Sequence, residues 1–364
     1  MKDNLSQGPS LTVLKIAAFV IIIAGMIFAK SILIPFLVAL FISIICAQPI
    51  YWLQEKKVPK SIAIVIVLIG ILSIFFGFGF LIGGEVASFT SNAPKYEASL
   101  KSTSDLFIQS MNKYGIRVTG AQFSNLFEPS RILNITAKVA NELVNMMGNT
   151  FLVFLTILFM LLELSSLPDK LRTIFKGPVE SQEYLAKISK SIRHYLVIKT
   201  GISIAVGIFI YITLSIIGLD YAVLWALLAG LLNYIPNIGS VIALIPTFLL
   251  ALVQLGMGGA TWVLISFLAV HSVIGNFIEP RLMGKGLGLS TLVVFLSLIF
   301  WGFIFGIVGM FLSVPLTITL KIVLEQNENT KWIAILLGTP EDAKLHFENF
   351  DKEKPVKKDK SPLG

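Results

Sequence analysis

Two stretches place polar side chains where nearly everything around them is apolar. The first is "LLNYIPNIGSVIALIP", Leu231 to Pro246, in which Asn233, Pro236, Asn237, Gly239 and Pro246 interrupt an aliphatic run. Proline removes a backbone donor and glycine weakens a helix, so the chain should break near Pro236. In hydrocarbon, irregular backbone survives only where protein or a water-filled cavity covers it, and exposed half-helix ends can hold ions or polar solutes at mid-depth. Asn233 and Asn237 flank the break with amide donors and acceptors. Their plain structural alternative is to satisfy freed backbone groups or to join helices. The functional reading makes Asn233, Pro236, Asn237 and Gly239 candidates for binding a substrate or ion.

The second stretch is "HSVIGNFIEPRLMGKGLGLS", His271 to Ser290. Treated as an α-helix through residue 279, it sets His271, Gly275 and Glu279 on one face, with Ser272 and Asn276 as an adjacent i, i+4 pair. Polar groups along one stripe point to an inward-facing surface. Pro280 should end the helix just after Glu279. Glu279 and Arg281 can pair with each other or titrate during transport, and an ionisable group near membrane depth marks a functional site by default. The competing role is an interfacial salt bridge that closes a loop. His271, alone among apolar neighbours, reads as a packed hydrogen-bonding group. Ser272, Asn276, Glu279 and Arg281 therefore complete the candidate site.

No catalytic constellation accompanies these residues. The chain has no His-Glu-x-x-His, no nucleophile elbow and no paired-cysteine spacing, and "GKGLGLS" lacks the Walker arrangement. Cys46 is the single cysteine. The expectation is a non-enzyme without metal or organic cofactor, in which Na+ or H+ can serve as a coupling ion. No ATP-binding motif exists, so a gradient must supply the energy.

The elements that position these residues are membrane helices. Of 364 residues, 55% are hydrophobic and 14% charged, and mean hydropathy is +0.84. Residues 31–54, 61–84, 143–162, 200–219, 221–278 and 286–320 carry no Asp, Glu, Lys or Arg. Runs of about 18 or more apolar residues can cross a bilayer core. Spans are expected at about 11–29, 31–53, 61–83, 143–164, 196–217 and 260–278. The first is read as a retained span rather than a cleaved signal. The net charge of +8 sits in short basic loops, which sets membrane orientation and does not imply nucleic acid.

The stretch 286–320 is too long for one span and too short for two. As a straight helix it would measure about 52 Å against a core of about 30 Å. It contains Gly302, Gly306, Gly309 and Pro315, of which Gly306, Gly309 and Pro315 are the expected breakers. A hairpin that enters the membrane, turns and leaves on the same side solves the length problem, and 221–255 poses the same problem. The fold class expected is an all-α polytopic membrane protein with six spans and two re-entrant hairpins, eight spans by hydropathy alone. "GSVIALIPTFLLAL" from Gly239 and "GMFLSVPLTITL" from Gly309 echo each other, which suggests an inverted repeat in the C-terminal half.

These boundaries divide the chain into a three-helix scaffold (1–84) and an extracytoplasmic helical segment (85–142). A fourth span with a basic cytoplasmic linker (143–195) follows. A transport domain (196–325) holds the hairpins 221–255 and 286–325, and 326–364 is a partly disordered tail. The positive-inside rule puts both termini in the cytoplasm.

"PNIGSVIALIP" and "IEPRLMGKGLGLSTLVVFLSLIFWGFIFGIVGMFLSVPLTITLKIVLE" resemble signatures of the autoinducer-2 exporter family of bacterial membrane proteins. "IPFLVAL", with Pro49 downstream, and "KKVPKSIAIVIVL" resemble its N-terminal pattern. The resemblance spans most of Leu11 to Glu325. It implies a multi-pass transporter of the bacterial inner membrane that self-associates as a homo-oligomer, with a pentamer as one expected form. Its partners are then lipid, copies of itself, and a small polar solute or monovalent cation. Family members are associated with export of autoinducer-2 and others with sodium–proton exchange, so both remain open. The motifs implicate Pro236, Asn237, Gly239, Glu279, Pro280, Arg281 and Gly284. A non-transporting scaffold that binds a partner through 85–142 is the reading from a different class.

Overall fold

The computed structural model describes residues 9–113, 150–163, 180–236, 238–283, 288–327 and 329–340. Every described element is helical. In chain order they are α1 (Pro9–Phe28), α2 (Lys30–Glu55), α3 (Lys60–Lys113), α4 (Thr150–Glu163), α5 (Glu180–Ile217), α6 (Ala222–Leu232) and α7 (Gly239–Val270). A π-helical segment (His271–Ile278), α8 (Glu279–Met283), α9 (Thr291–Glu325) and α10 (Lys331–Leu337) complete the order.

Five stretches are long and apolar enough to cross a bilayer: Lys30–Glu55, Lys60–Phe89, Ile188–Ile217, Gly239–Met283 and Thr291–Glu325. Their outer faces stay apolar. Phe80 is 85% exposed and Phe303 75% exposed, an arrangement that suits lipid and not water. The chain is a polytopic helical membrane protein.

Two glycines break α7 and α9. Gly256 in α7 has φ 71° and Gly306 in α9 has φ 65°, values that favour glycine because it has no Cβ to clash. At Gly306 the chain doubles back. Trp301 Nε1 donates to Thr317 Oγ1 at 2.9 Å across 16 residues, which a straight helix would separate by about 24 Å. The two ends of this unit also meet, because Lys321 Nζ donates to the Gly288 carbonyl.

The chain between Asp220 and Gln254 folds in the same way. Gln254 Nε2 donates to the Gly218 carbonyl at 3.0 Å, and its Oε1 accepts from the Asp220 N–H at 2.9 Å. The reversal lies in the loop after Leu232. In both units a glycine lets the two arms touch. A Cβ at Gly239 would fall on the Leu232 carbonyl, and one at Gly309 on the Trp301 carbonyl. Of the three expected breakers, Gly306 turns the chain and Gly309 permits close approach. Pro315 lies buried inside the returning arm, whose backbone stays helical. It lacks the N–H that would bond one turn back, yet the helix continues through it.

Three apolar clusters join the elements. Residues of α2, α3 and α4 form one, around Ala39, Ile64 and Ile157. A second gathers α5, α6 and α7 around Leu214, Trp225 and Val263, and α3 enters it through Ile82, Val86 and Phe89. A third joins Phe41 of α2 to Tyr195 of α5 and Val314 and Ile318 of α9. The N-terminal helices thus grip the C-terminal half at two places. α3 runs unbroken through residue 84, where composition alone marked a boundary, because the polar residues beyond it remain compatible with a helix.

Candidate functional site

The reversal after Leu232 is held against α5 by side chains. Asn233 Nδ2 donates to Ser203 Oγ at 3.1 Å, and the hydroxyls of Thr200 and Tyr234 share a hydrogen bond of 2.6 Å. α5 and α6 can approach this closely because Gly207 faces Gly230, whose Cβ would stand only 3.0 Å from the Ser203 carbonyl. On its other side Tyr234 meets Phe311 of α9, with ring centroids 5.9 Å apart. The two reversals therefore come together, and a cavity opens beside them.

That cavity has a volume of about 350 Å³. Its polar lining comes from Lys199 of α5, Asn233, Ser240 of α7, His271 and Asn276 of the π-helical segment, Glu279, and Thr291 of α9. Met283, Leu289 and Val294 add apolar wall. Lys199 Nζ and Glu279 Oε1 form an ion pair at 2.6 Å, with side chains 3% and 20% exposed. Such a charge-assisted bond offsets the cost of removing both ions from water, and each ion depends on the other for it. The pair leaves the wall electrically balanced. Among the described residues, the side chains of Ser240, His271 and Asn276 have no hydrogen-bond partner. They present uncharged donors and acceptors to whatever enters.

The π-helical winding explains how these groups meet. Bonding from i to i+5 widens each turn, and such bulges are frequent at functional sites. It carries Asn276 into the lining beside His271 and Gly275. Ser272 stays exposed and outside the lining, so the expected Ser272–Asn276 pair does not form part of the site.

Several sequence expectations find their places here. Asn233, Pro236, Asn276 and Glu279 line the cavity. Gly239 lies behind it and serves the close approach to Leu232. Arg281 is exposed, and Glu279 pairs with Lys199 instead. Asn237 and Gly284 lie outside the described residues. Lys199 escaped the sequence reading because it closes a run of basic residues typical of a cytoplasmic flank. Its distinguishing signal is position, since it is the last charge before the uncharged stretch 200–219, as Glu279 is the first after 221–278. His271, read as a packed group, lines the cavity.

Relatives match this chain over nearly its whole length. The AI-2 transport protein TqsA of Escherichia coli is 40% identical over 326 residues, covering 90% of this chain and 95% of that protein. A Haemophilus influenzae relative, which carries only a provisional transport-protein name, is 39% identical over 350 residues, covering 94% and 100%. The more distant YrrI of Bacillus subtilis is 24% identical over 316 residues, covering 81% and 86%. The sequence pattern that defines the AI-2E family transporter matches residues 16–329. The chain therefore belongs to the AI-2E family of transporters.

Proposed function

We propose that the protein is a secondary transporter that moves a small polar solute of the autoinducer-2 type across the bacterial inner membrane. The observation that carries this reading is the chamber beside the chain reversal, in which Ser240, His271 and Asn276 offer uncharged hydrogen-bonding groups beside a neutralised Lys199–Glu279 pair. A solute with hydroxyl or carbonyl groups can satisfy those groups without displacing the pair. A site that leaves such groups unsatisfied discriminates against apolar competitors.

In this reading both doubled-back units are re-entrant hairpins, and the half from 196 to 325 moves against the N-terminal helices in an elevator-like step. The reading takes the protein to self-associate through the apolar faces of those N-terminal helices. The sodium–proton exchange alternative gives Glu279 a different task, exchanging its hold on Lys199 for a cation or a proton.

Purified full-length protein in proteoliposomes tests the reading, with autoinducer-2 as the probe and pH and sodium gradients imposed separately. Saturable flux above that of empty liposomes is expected. Sodium-dependent proton movement without solute flux would establish the exchanger instead. Absence of both would leave the scaffold role.

A further inference from the structure

A second, much smaller void adjoins the chamber. Its volume is about 20 Å³, room for a single water. It shares Asn233, Ser240, His271 and Gly275 with the chamber and is otherwise apolar, walled by Val206, Ile210, Phe267 and Ile274 among others. Lys199 borders only the chamber and Ile210 only the void. The two residues are about 16 Å apart along α5 at the helical rise. Chamber and void therefore lie in sequence along α5, and the residues they share mark the neck between them.

Three of the four shared residues make poor gates. The Ser240 side chain is too short to block a passage, Asn233 is tied to Ser203, and Gly275 has no side chain. His271 is different. A Cβ on Gly275 would sit 3.4 Å from its Cε1 and Nδ1, so the imidazole lies over the space that the glycine leaves empty. Among the described residues no hydrogen bond holds the ring there. A ring without a hydrogen-bond anchor, placed at a neck and facing a glycine, has both the position and the freedom to open and close it.

We propose that His271 is the gate of the solute route: its ring closes the neck between the chamber and the apolar void that continues along α5 towards Ile210. This proposal rests on the chamber's role as the solute site. It adds the residue that sets what can leave the chamber and the direction in which the route continues. In the closed arrangement the void beyond the neck has room for a single water. Rotation of the ring away from Gly275 would join the two spaces.

Cysteine labelling tests the gate in the full chain. Cys46→Ala removes the single native thiol, Val206→Cys reports from the void and Thr291→Cys reports from the chamber. A small methanethiosulfonate reagent is applied to inside-out and right-side-out membrane vesicles. Thr291→Cys should react readily in one vesicle orientation whether or not His271 is present. Val206→Cys should react slowly with His271 in place. His271→Ala should raise that rate about ten-fold or more, the ratio produced by a barrier difference of about 1.4 kcal/mol. Should His271→Ala fail to fold, His271→Asn, shorter but still polar, makes the same comparison. An equal Val206→Cys rate with and without His271, or no reaction in either, overturns the gate while leaving the transport reading standing. No reaction at Thr291→Cys in either orientation would instead remove the open chamber and the transport reading with it.

Discussion

Tyr234 and Phe311 bring the two chain reversals into contact. Their ring centroids are 5.9 Å apart, one at the tip of the first doubled-back unit and the other five residues past the turn at Gly306 in the second. Tyr234 also holds Thr200 of α5, so one side chain links three elements around the cavity. Tilted aromatic pairs contribute about 0.5–1.5 kcal/mol beyond the area they bury. Phe311→Ala should therefore lower the thermal unfolding temperature in detergent. It should also loosen the cavity, raising the KM for the solute more than it lowers kcat.

The Lys199–Glu279 pair predicts non-additive substitutions. Removing one partner leaves the other charge without its counter-ion, a loss of up to about 3–5 kcal/mol for a buried pair. Lys199→Met and Glu279→Gln should each destabilise the protein strongly. The double variant should recover most of that stability. Thermal melts of all four proteins in detergent decide the matter. Additive losses in the double variant would mean that the two side chains act independently.

Close approach at the two turns makes a prediction about glycines. A Cβ at Gly239 or Gly309 would land on a backbone carbonyl, whereas one at Gly77 or Gly25 would meet nothing within 4 Å. Overpacking of this kind costs about 1–3 kcal/mol. Gly239→Ala and Gly309→Ala should both melt earlier and by similar amounts, while Gly77→Ala should be near neutral or slightly stabilising. Matched losses would support a repeated unit. An effect at one position alone would count against it.

Membrane topology can be read with single cysteines in the Cys46→Ala background. Asp220→Cys and Met257→Cys flank the first doubled-back unit, and Ser290→Cys and Glu325→Cys flank the second. Membrane-impermeant reagents should label both members of the first pair from one side and both members of the second from the opposite side. Labelling of either pair from two sides would mean that the unit crosses the bilayer.

Much of this architecture was legible in the residues. The uncharged run 286–320 has a length that fits neither one span nor two, and a reversal follows from that arithmetic before any coordinate is seen. Gly306 was visible as a breaker because only glycine accepts its backbone angles. Pro315 looked equivalent and was not, since a proline inside a returning arm can be accommodated where no turn is needed. The π-helical segment left no compositional trace. Its wider winding arises from packing and determines that Asn276 and not Ser272 reaches the cavity. Lys199 was hidden for another reason. Charge near a span's end ordinarily reports orientation, and only the three-dimensional fold brings it 2.6 Å from a carboxylate 80 residues away.

The unbroken course of α3 has a consequence outside the bilayer. Its apolar part ends at Phe89, and the helix continues to Lys113. Those 24 further residues form a mast about 36 Å tall. Because Phe89 near its foot packs edge-on against Trp225 and Tyr221, a sideways pull at the top arrives first at the packing between α3 and α6.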